Sequence, residues 1–180
     1  MEKVDIKSPE DILEYMKEHI KYGWLDINNE EHIGNMKNFR RLYRTSSVEE
    51  TIAHGLGTCI EQVNLMHCLL DSIDTPNKMF CTRVYEKSDF NDLDAEEHMH
   101  CFVLYYQDGK VHQIEHPNWE RVGIYHFETE AEAIERINAI YIEMADVTAR
   151  PVTEFSAVTP NQTFQQFNAY INSLDNSMQK

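Results

Sequence analysis

Gly55-Leu56-Gly57-Thr58-Cys59-Ile60-Glu61-Gln62 is the stretch of sequence that decides the fold. Thr58 and Glu61 have the T-x-x-E spacing of a capping box, which predicts that a helix begins at Cys59. The glycines before the cap allow a sharp turn and a close approach of other backbone to the sulfur. The sequence therefore predicts a glycine-rich turn that places a cysteine at the start of a helix.

The predicted helix runs from Cys59 to about Ser72. Its apolar residues recur at helical spacing and form one buried face, which comprises Val63, Met66, Leu69, Leu70 and Ile73. The N–H groups of a first helical turn and the helix dipole stabilise an anion, and the thiolate is the nucleophilic form of cysteine. Cys59 is therefore a candidate nucleophile. A small buried residue that begins a core helix is the alternative interpretation.

Upstream of this stretch, Ser8-Pro9-Glu10-Asp11 predicts the start of a helix with an apolar stripe up to Gly23. The periodicity weakens over residues 24–44, which are expected to form loops with one or two helical turns at most. A short helix over 48–54 then ends at the first glycine of the central stretch. We expect residues 1–45 to be a helical addition to the core.

Downstream, a strand and a β-hairpin are predicted. Residues 79–86 are rich in aromatic and β-branched side chains and predict a strand, and the polar residues 87–97 predict a surface loop. Residues 98–106 and 110–115 flank Gln107-Asp108-Gly109, where Asp-Gly suits a type I′ turn. The sequence therefore predicts two antiparallel strands joined by a tight turn.

The C-terminal part is predicted to be largely helical. Residues 117–123 are expected to form a loop, and a helix capped over 129–132 is expected to run to about Asp146. A strand is possible over 151–155, and the last helix is predicted to begin at Thr159-Pro160. Helices, then a hairpin, then helices indicate an α+β fold with an antiparallel sheet.

Composition limits the partners. The 180 residues, 42% of them hydrophobic, suffice for a single domain with one core. The chain has 16 Lys and Arg against 31 Asp and Glu, which gives a net charge of −15. This charge disfavours binding to nucleic acid or to a membrane surface, and it favours a neutral or basic protein or peptide substrate. The cluster of Arg40, Arg41 and Arg44 is interpreted as a solvated or ion-paired face.

No segment resembles a secretion signal or a membrane span, so a cytoplasmic location is expected. The four cysteines lack C-x-x-C spacing, which predicts free thiols. Neither a cofactor nor a metal is expected.

The hairpin register selects the partners of Cys59. With Asp108-Gly109 as a two-residue loop, Glu115 lies diagonally across from His100 on one face of the sheet, at roughly 7–8 Å between backbones. His112 and His116 fall on the opposite face. Cys59, His100 and Glu115 are thus predicted to form a triad in which the thiolate attacks, the imidazolium protonates the leaving amine and the carboxylate orients the ring. The Cys59 N–H supplies one oxyanion donor, and the sequence identifies no second one.

These motifs resemble the transglutaminase-like superfamily of cysteine acyl-transfer proteins. The resemblance rests on G-x-C at a helix start, His followed by Phe-Val-Leu-Tyr on a strand, and an acid after D-G-K-V-x-x-I, all within residues 48–127. Cys59 matches the nucleophile, His100 the histidine, and Glu115 a position usually held by Asp.

The resemblance implies a papain-like core over about 46–127, in which the nucleophile helix packs on an antiparallel sheet, with residues 1–45 and helices over 128–180 covering it. It also implies an enzyme that acts on amide or peptide bonds through a thioester, as a protease, an amidase or deamidase, or an amide acyltransferase. No calcium-binding loop is present, so calcium-activated cross-linking is not implied.

The chain departs from the family at two places. Ile60 stands where many members have an aromatic residue, and Glu115 is followed by His116, which stays open as a substitute for the acid or as its neighbour.

Two alternatives remain open. A metal site would use His98 and His100 with His112 and His116, but the register puts the two pairs on opposite faces, and the spare histidines are interpreted as packing or surface residues. A catalytically inert domain of the same fold would serve protein interactions. The aromatic side chains near Trp119 fit sheet packing or a substrate groove.

Overall fold

The structure is a computed structural model that describes residues 5–86, 97–143, 147–149 and 152–175. Its architecture is α+β, with helices around two sheets. The helices in these ranges are α1 (Pro9–His19), α2 (Phe39–Leu42), α3 (Val48–His54), α4 (Cys59–Ser72), α5 (Glu130–Glu143) and α6 (Phe164–Leu174). The strands are β1 (Lys21–Asp26), β2 (Glu31–Ile33), β3 (Tyr43–Arg44), β4 (Leu56–Gly57), β5 (Asn77–Glu86), β6 (Glu97–Gln107), β7 (Lys110–Glu115), β8 (Gly123–Phe127), β9 (Val147–Ala149) and β10 (Thr153–Phe155).

The larger sheet has the strand order β10-β5-β6-β7-β8, with β9 also paired to β5, and all these pairs are antiparallel. The β6–β7 hairpin has the predicted register, because Gln107 pairs with Lys110. Asp108 and Gly109 have φ values of 55° and 72°, as a type I′ turn requires. The predicted hairpin and its register are therefore confirmed.

Helices cover both faces of this sheet. Buried side chains of α4 share a core cluster with inward-facing residues of β5 and β6, among them Cys81, Cys101 and Val103. The alternate residues Phe80 and Phe102 belong to a second cluster with Ala133 of α5. Because successive strand residues point to opposite faces, α4 and α5 lie on opposite sides of the sheet.

A smaller sheet occupies a region where the sequence predicts only loops and helical turns. Its order is β2-β1-β3, and β4 joins β1 in a parallel pair that places Tyr22 beside Gly57. The expectation of a purely helical addition over 1–45 is wrong. Strands β2, β3 and β4 have two or three residues, too few for an alternating pattern, and the six residues of β1 do not alternate between buried and exposed positions.

Several boundaries differ from the prediction. Helix α1 ends at His19 rather than near Gly23, because the chain turns into β1. The segment predicted as a loop up to residue 123 leads directly into β8, and Phe127 of this strand is buried. Trp119 is 81% exposed, so its side chain is not part of the sheet packing.

The last helix begins at Phe164 with Thr163 as its N-cap, not at Thr159-Pro160. Backbone and hydroxyl groups of Thr45 hydrogen-bond Thr159, Asn161 and Gln162, which holds this segment out of a helix.

The predicted short helix over 48–54, the start of the helix near residue 130 and the strand within 151–155 are confirmed. The expected loop over 87–97 lies outside the described residues except for Glu97, as does the expected end of α5 at Asp146. In the described parts of the chain, no helix combines the length and apolar character that a membrane crossing needs.

Candidate active site

The turn before Cys59 has the predicted capping geometry. Thr58 is the N-cap of α4, and its hydroxyl oxygen accepts the N–H of Ile60 at 3.2 Å. The Glu61 carboxylate accepts the Thr58 N–H at 2.9 Å, which completes the capping box. Cys59 is therefore the first residue of the helix, where the free N–H groups and the helix dipole favour a negative charge.

Glu61 also fixes the end of α4 to the smaller sheet. Its carboxylate is buried and accepts hydrogen bonds from the Tyr43 hydroxyl at 2.5 Å and from the Ser46 N–H at 3.3 Å. Burial raises the pKa of Glu61 above its usual value, although these donors act in the opposite direction. One side chain thus joins the capping turn to β3 and to the start of α3.

Gly57 is required by the space around it. A Cβ atom at Gly57 would lie 2.7 Å from the Cβ of Glu61, closer than two carbon atoms approach. The backbone there pairs with β1, so it has no room to move away. A residue without a side chain lets the capping carboxylate fold back against the turn.

The Cys59 sulfur lies against the open end of β6. Pairing between β6 and β7 extends only to Val103 and Ile114, so the β6 backbone around residues 99–101 has no partner from β7. The Cys59 Sγ occupies this place, 3.9 Å from the carbonyl oxygen of Met99, and is close to the thiol and the N–H of Cys101. The Cys59 residue is only 7% exposed.

These neighbours favour the thiolate. The largest influence is the hydrogen bond from the Cys101 thiol, which lowers the pKa of Cys59. Burial raises this pKa, and the interaction with His100 lowers it again. The net result is a Cys59 pKa well below its usual value. Cys101 itself shows the opposite behaviour, because burial and the neighbouring thiols raise its pKa.

His100 and Glu115 form the predicted pair. The His100 Nε2 lies 3.1 Å from the Glu115 Oε2, and both side chains are buried. Glu115 also accepts the Gln113 amide at 2.8 Å and the Asn118 N–H at 2.9 Å, so its position is fixed on both oxygens. The ring of Tyr141 stacks on His100 with centroids 4.4 Å apart.

The charge of His100 follows from these contacts. Burial lowers its pKa, but the Glu115 carboxylate and the Cys59 sulfur outweigh burial and raise the pKa to about 10. With Nε2 turned to Glu115, Nδ1 is the ring atom left for Cys59. The Glu115 carboxylate and the Cys59 sulfur thus both act on the same buried imidazole ring.

His116 lies outside this chain of contacts. Its Nδ1 is 2.6 Å from the amide oxygen of Gln62, whose Nε2 donates to the Gly57 carbonyl at 2.8 Å. Burial lowers the pKa of His116, which favours the neutral ring. The side chain therefore braces the turn before Cys59, and the carboxylate beside His100 comes from Glu115.

No protein-family model matches this chain, and no curated protein matches it. What the site can do therefore rests on its geometry. A buried thiolate, an imidazolium and a fixed carboxylate in sequence are the groups that nucleophilic acyl transfer needs.

A cavity of about 580 Å³ opens beside Cys59. Its wall includes Tyr22, Phe39, Ile60 and Phe164, which come from β1, α2, α4 and α6. Cys59 therefore lines a space large enough for part of a peptide.

Tyr22 is a candidate functional residue that could not be found from the sequence. It lines the cavity with Cys59 and lies beside Gly57 through the β1–β4 pairing. Tyr22 is 44% exposed as a residue, but partial burial of its hydroxyl and the negative charges of Cys59 and Glu61 raise the pKa of that hydroxyl, so it keeps its proton. Only the pairing of β1 with β4 brings Tyr22 here, and neither strand is recognisable from local sequence.

The four histidines that were candidates for a metal site do not converge on one point. His100 contacts Glu115, His116 contacts Gln62, and His112 contacts His126. The alternative site would have used these three with His98.

One other group of possible ligands is present in the described ranges. Asp26, Glu30 and His32 offer atoms within 4.8 Å of one another. The Asp26 carboxylate already accepts the N–H groups of Asn28 and Glu30 and pairs with His32 at 2.8 Å, so the group closes the turn between β1 and β2.

The four cysteines are free thiols, as predicted. Cys59, Cys81 and Cys101 are buried, and Cys68 is exposed on α4. The exposed Cys68 has a raised pKa because of partial burial and the nearby Asp71 and Glu49. It therefore provides an internal reference for the reactivity of Cys59.

Proposed function

We propose that this chain is a transglutaminase-like cysteine enzyme that acts on amide or peptide bonds through a Cys59–His100–Glu115 triad. The observation that carries the proposal is the buried His100–Glu115 pair, with Nε2 and Oε2 3.1 Å apart, beside the cysteine that begins α4, where His100 lowers the pKa of Cys59 and Cys59 raises that of His100. A structural cysteine needs no charged partner, whereas a nucleophile does. A papain-like core is part of this proposal, supported by a cysteine helix packed on an antiparallel sheet that carries the other two residues.

Acylation begins when the Cys59 thiolate attacks the carbonyl carbon of the scissile amide and forms a C–S bond. The carbonyl oxygen becomes an oxyanion. His100 then gives its Nδ1 proton to the departing amine, the C–N bond breaks, and a thioester remains. Glu115 stabilises the imidazolium throughout and holds the ring in place.

Deacylation reverses the proton transfer. The neutral His100 takes a proton from water or from an acceptor amine, which attacks the thioester carbon. The C–S bond breaks and returns the thiolate, while His100 is again protonated. Water as acceptor gives hydrolysis, and an amine gives acyl transfer.

We assign two hydrogen-bond donors to the oxyanion. The N–H of Cys59 is at the helix start, where no helical carbonyl can accept it. The Tyr22 hydroxyl shares the cavity with Cys59 and stays protonated. Together they would form the oxyanion hole.

The first test is the rate of iodoacetamide alkylation at each of the four cysteines between pH 4 and 9, followed by peptide mass spectrometry. We expect Cys59 to react fastest, with its rate already high well below a reference pKa of about 8.5. His100→Ala should remove this advantage, whereas His116→Ala, which also removes a partly buried histidine, should keep most of it.

A Cys59 that reacts no faster than Cys68 in the wild type would contradict the triad and favour an inert domain for protein interactions. Equal losses in His100→Ala and His116→Ala would contradict the assignment of His100. Once Cys59 is shown to be activated, a peptide library read by mass spectrometry, with Cys59→Ala as control, should reveal cleaved, deamidated or cross-linked products.

A further inference from the structure

Three of the four cysteines lie together at the candidate nucleophile, although they come from three elements. Cys59 begins α4, and Cys101 on β6 pairs directly with Cys81 on β5. All three side chains belong to the same core cluster. The Cys101 thiol is hydrogen-bonded to the sulfurs of both Cys59 and Cys81. Cys101 is therefore the central member of a group of three thiols.

The Cys101 thiol can act in two ways on its neighbour. As a hydrogen-bond donor it stabilises the Cys59 thiolate, and a serine hydroxyl would offer a donor at the same place. A buried cysteine also packs as a small apolar residue. A thiol can in addition form a covalent bond with an oxidised neighbouring sulfur, which a hydroxyl cannot do. Bond formation therefore distinguishes a reactive Cys101 from one that only donates and packs.

The three thiols differ in their access to solvent. Cys59 lines the cavity, whereas Cys81 and Cys101 are fully buried. A small oxidant that enters the cavity therefore reaches the Cys59 sulfur before the other two. Oxidants react with the thiolate, and the contacts of Cys59 favour this form. The structure thus places an oxidisable thiolate at the cavity and a second thiol directly behind it.

We propose that Cys59 is a site of reversible oxidation by hydrogen peroxide and that Cys101 is its resolving thiol, so that oxidation ends in a Cys59–Cys101 disulfide. The inference rests on the proposed function, because it concerns the regulation of that same site. The disulfide inactivates the nucleophile and protects it from the sulfinic and sulfonic acids, which thiols do not reduce. Its formation shortens a hydrogen-bonded sulfur pair to a bond of about 2.05 Å.

Oxidation takes two steps. The Cys59 thiolate attacks one oxygen of hydrogen peroxide, an S–O bond forms, and the O–O bond breaks. The departing hydroxide takes a proton from the His100 imidazolium and becomes water, which leaves a sulfenic acid on Cys59. The Cys101 sulfur then attacks the Cys59 sulfur, the S–S bond forms, the S–O bond breaks, and the hydroxide leaves as water with the Cys101 proton. Two thiols are oxidised and one peroxide is reduced to two waters.

Reduction proceeds from the cavity. Because Cys101 is fully buried, the Cys59 sulfur is the accessible half of the disulfide. One thiol of a dithiol reductant attacks Cys59, and Cys101 leaves and regains its proton. The second thiol of the reductant then attacks the first, which closes a disulfide within the reductant and returns the Cys59 thiolate.

The test treats the folded wild-type protein near pH 7 with hydrogen peroxide, blocks the remaining thiols and maps the products by mass spectrometry without reduction. Protease cleavage after Glu61 separates Cys59 from Cys68, so each cysteine is followed by itself. We expect one disulfide, between Cys59 and Cys101, and a free Cys68. Cys59 should be oxidised about ten-fold or more faster than Cys68, since an ordinary thiol is only a few per cent thiolate near pH 7.

Iodoacetamide alkylation of Cys59 measures how much of the nucleophile is left. In the wild type it should disappear as the disulfide forms and return in full after treatment with dithiothreitol. Cys101→Ser keeps a hydrogen-bond donor beside Cys59 and removes the resolving thiol. Before oxidation this variant should alkylate at close to the wild-type rate, but excess peroxide should convert its Cys59 to sulfinic and sulfonic acids, which dithiothreitol does not reverse.

Cys81→Ser is the matched control, because it places the same hydroxyl at the other buried thiol beside Cys101. This variant should form the Cys59–Cys101 disulfide and recover its alkylation as the wild type does. Sulfinic acid on wild-type Cys59 with a free Cys101 thiol would overturn the proposal, and so would a wild-type disulfide that joins Cys101 to Cys81. Both results come from the wild-type protein and do not depend on the folding of a variant.

Alkylation before oxidation separates this proposal from the proposed function. If untreated Cys59 alkylates faster than Cys68 while peroxide produces no disulfide, the nucleophile stands and the resolving role of Cys101 is wrong. If Cys59 neither alkylates nor oxidises faster than Cys68, the proposed function fails and this proposal fails with it.

Discussion

Cys59 and His100 have pKa values displaced in opposite directions, and this pair of shifts defines the chemistry of the site. Hydrogen bonds from Cys101 and His100 lower the pKa of Cys59, and the Glu115 and Cys59 charges raise that of His100 to about 10 despite its burial. Between these two values the thiolate and the imidazolium exist together. An acyl-transfer reaction needs the nucleophile and the proton donor in these states at the same pH.

A pH titration tests this pair of charges directly. The alkylation rate of Cys59 should rise with pH through a pKa well below 9 and then stay level, because the rate follows the thiolate fraction. The imidazole signals of His100 in an NMR titration should change only near pH 10. A His100 that titrates near its reference value of about 6.5 would contradict the ion pair.

Glu115→Gln isolates the contribution of the carboxylate. The Glu115 charge is the main influence that raises the pKa of His100, so its removal should lower that pKa and deprotonate the ring at a lower pH. Peptide turnover should fall about 10³-fold or more, since the equivalent change in a Ser-His-Asp triad costs about 10⁴. The NMR titration and the turnover rate should change together. A variant that loses turnover while His100 titrates as before would assign Glu115 a purely structural role.

Tyr22→Phe tests the second oxyanion donor. Acylation of Cys59 by p-nitrophenyl acetate passes through an oxyanion, whereas alkylation by iodoacetamide does not. We expect the variant to lose about ten-fold or more in acylation, since an oxyanion donor is worth up to 10²–10³, and to keep its alkylation rate. Equal losses in both reactions would show that Tyr22 shapes the cavity instead of donating to the oxyanion.

At the scale of elements, local sequence signals predicted what is locally determined. The start of α4 follows from Thr58 and Glu61, which lie within one turn, and the β6–β7 hairpin follows from Asp108-Gly109. The register of that hairpin was enough to place His100 beside Glu115. These parts of the site are fixed by residues close together in the chain.

The other half of the site depends on contacts between distant segments, and the sequence did not reveal it. Tyr22 reaches the cavity through a parallel pairing of β1 with a two-residue strand, which leaves no periodic pattern. Arg41 lies there because α2 packs beside α6, which follows it by more than a hundred residues. The overall acidity predicts a neutral or basic substrate, and composition carries no information on which charges meet at one place.

The turn at Gly57 offers a test of how an element positions the nucleophile. Gly57→Ala forces a Cβ to within 2.7 Å of the Glu61 Cβ, so the capping turn must shift. We expect the free energy of unfolding, measured in urea, to fall by about 1–3 kcal/mol, as for other overpacked sites. Alkylation of Cys59 should slow as well, because the thiolate loses its alignment with the helix start.

Gly109→Asn is the matched control for this substitution. No atom lies within 4 Å of the Cβ position at Gly109, and Asn tolerates the positive φ found there. This variant should change stability by less than about 1 kcal/mol and leave Cys59 alkylation unaltered. If Gly57→Ala behaves in the same way, the close packing of Glu61 on the turn does not position the cysteine.

At the scale of the whole molecule, the C-terminal segment ties the two sheets together. Residues 159–162 hydrogen-bond Thr45 at the end of β3, while β10 joins the larger sheet beside β5. Helix α6 then places Phe164 at the cavity with its first residue. Its last turn reaches the larger sheet, where the Arg83 guanidinium pairs with Asp175 at 3.1 Å. The cavity wall opposite α2 is therefore held in place from both ends of α6.

Asp175→Asn tests this attachment. Arg83 is 0% exposed, and the substitution removes a carboxylate from a buried ion pair, although Asn172 and Thr153 still accept hydrogen bonds from the guanidinium. We expect the free energy of unfolding in urea to fall by about 3 kcal/mol, a large part of the 5–15 kcal/mol typical of a domain. Glu128→Gln, which removes the exposed partner of Lys110, should cost less than about 1 kcal/mol. If Asp175→Asn loses no more stability than this control, the Arg83 guanidinium is stabilised without the carboxylate. Helix α6 is then held by its apolar face, where Phe167 and Ile171 are buried. If the loss is large and the alkylation of Cys59 by a neutral probe is unchanged in the folded variant, the attachment of α6 supports the cavity wall independently of the triad.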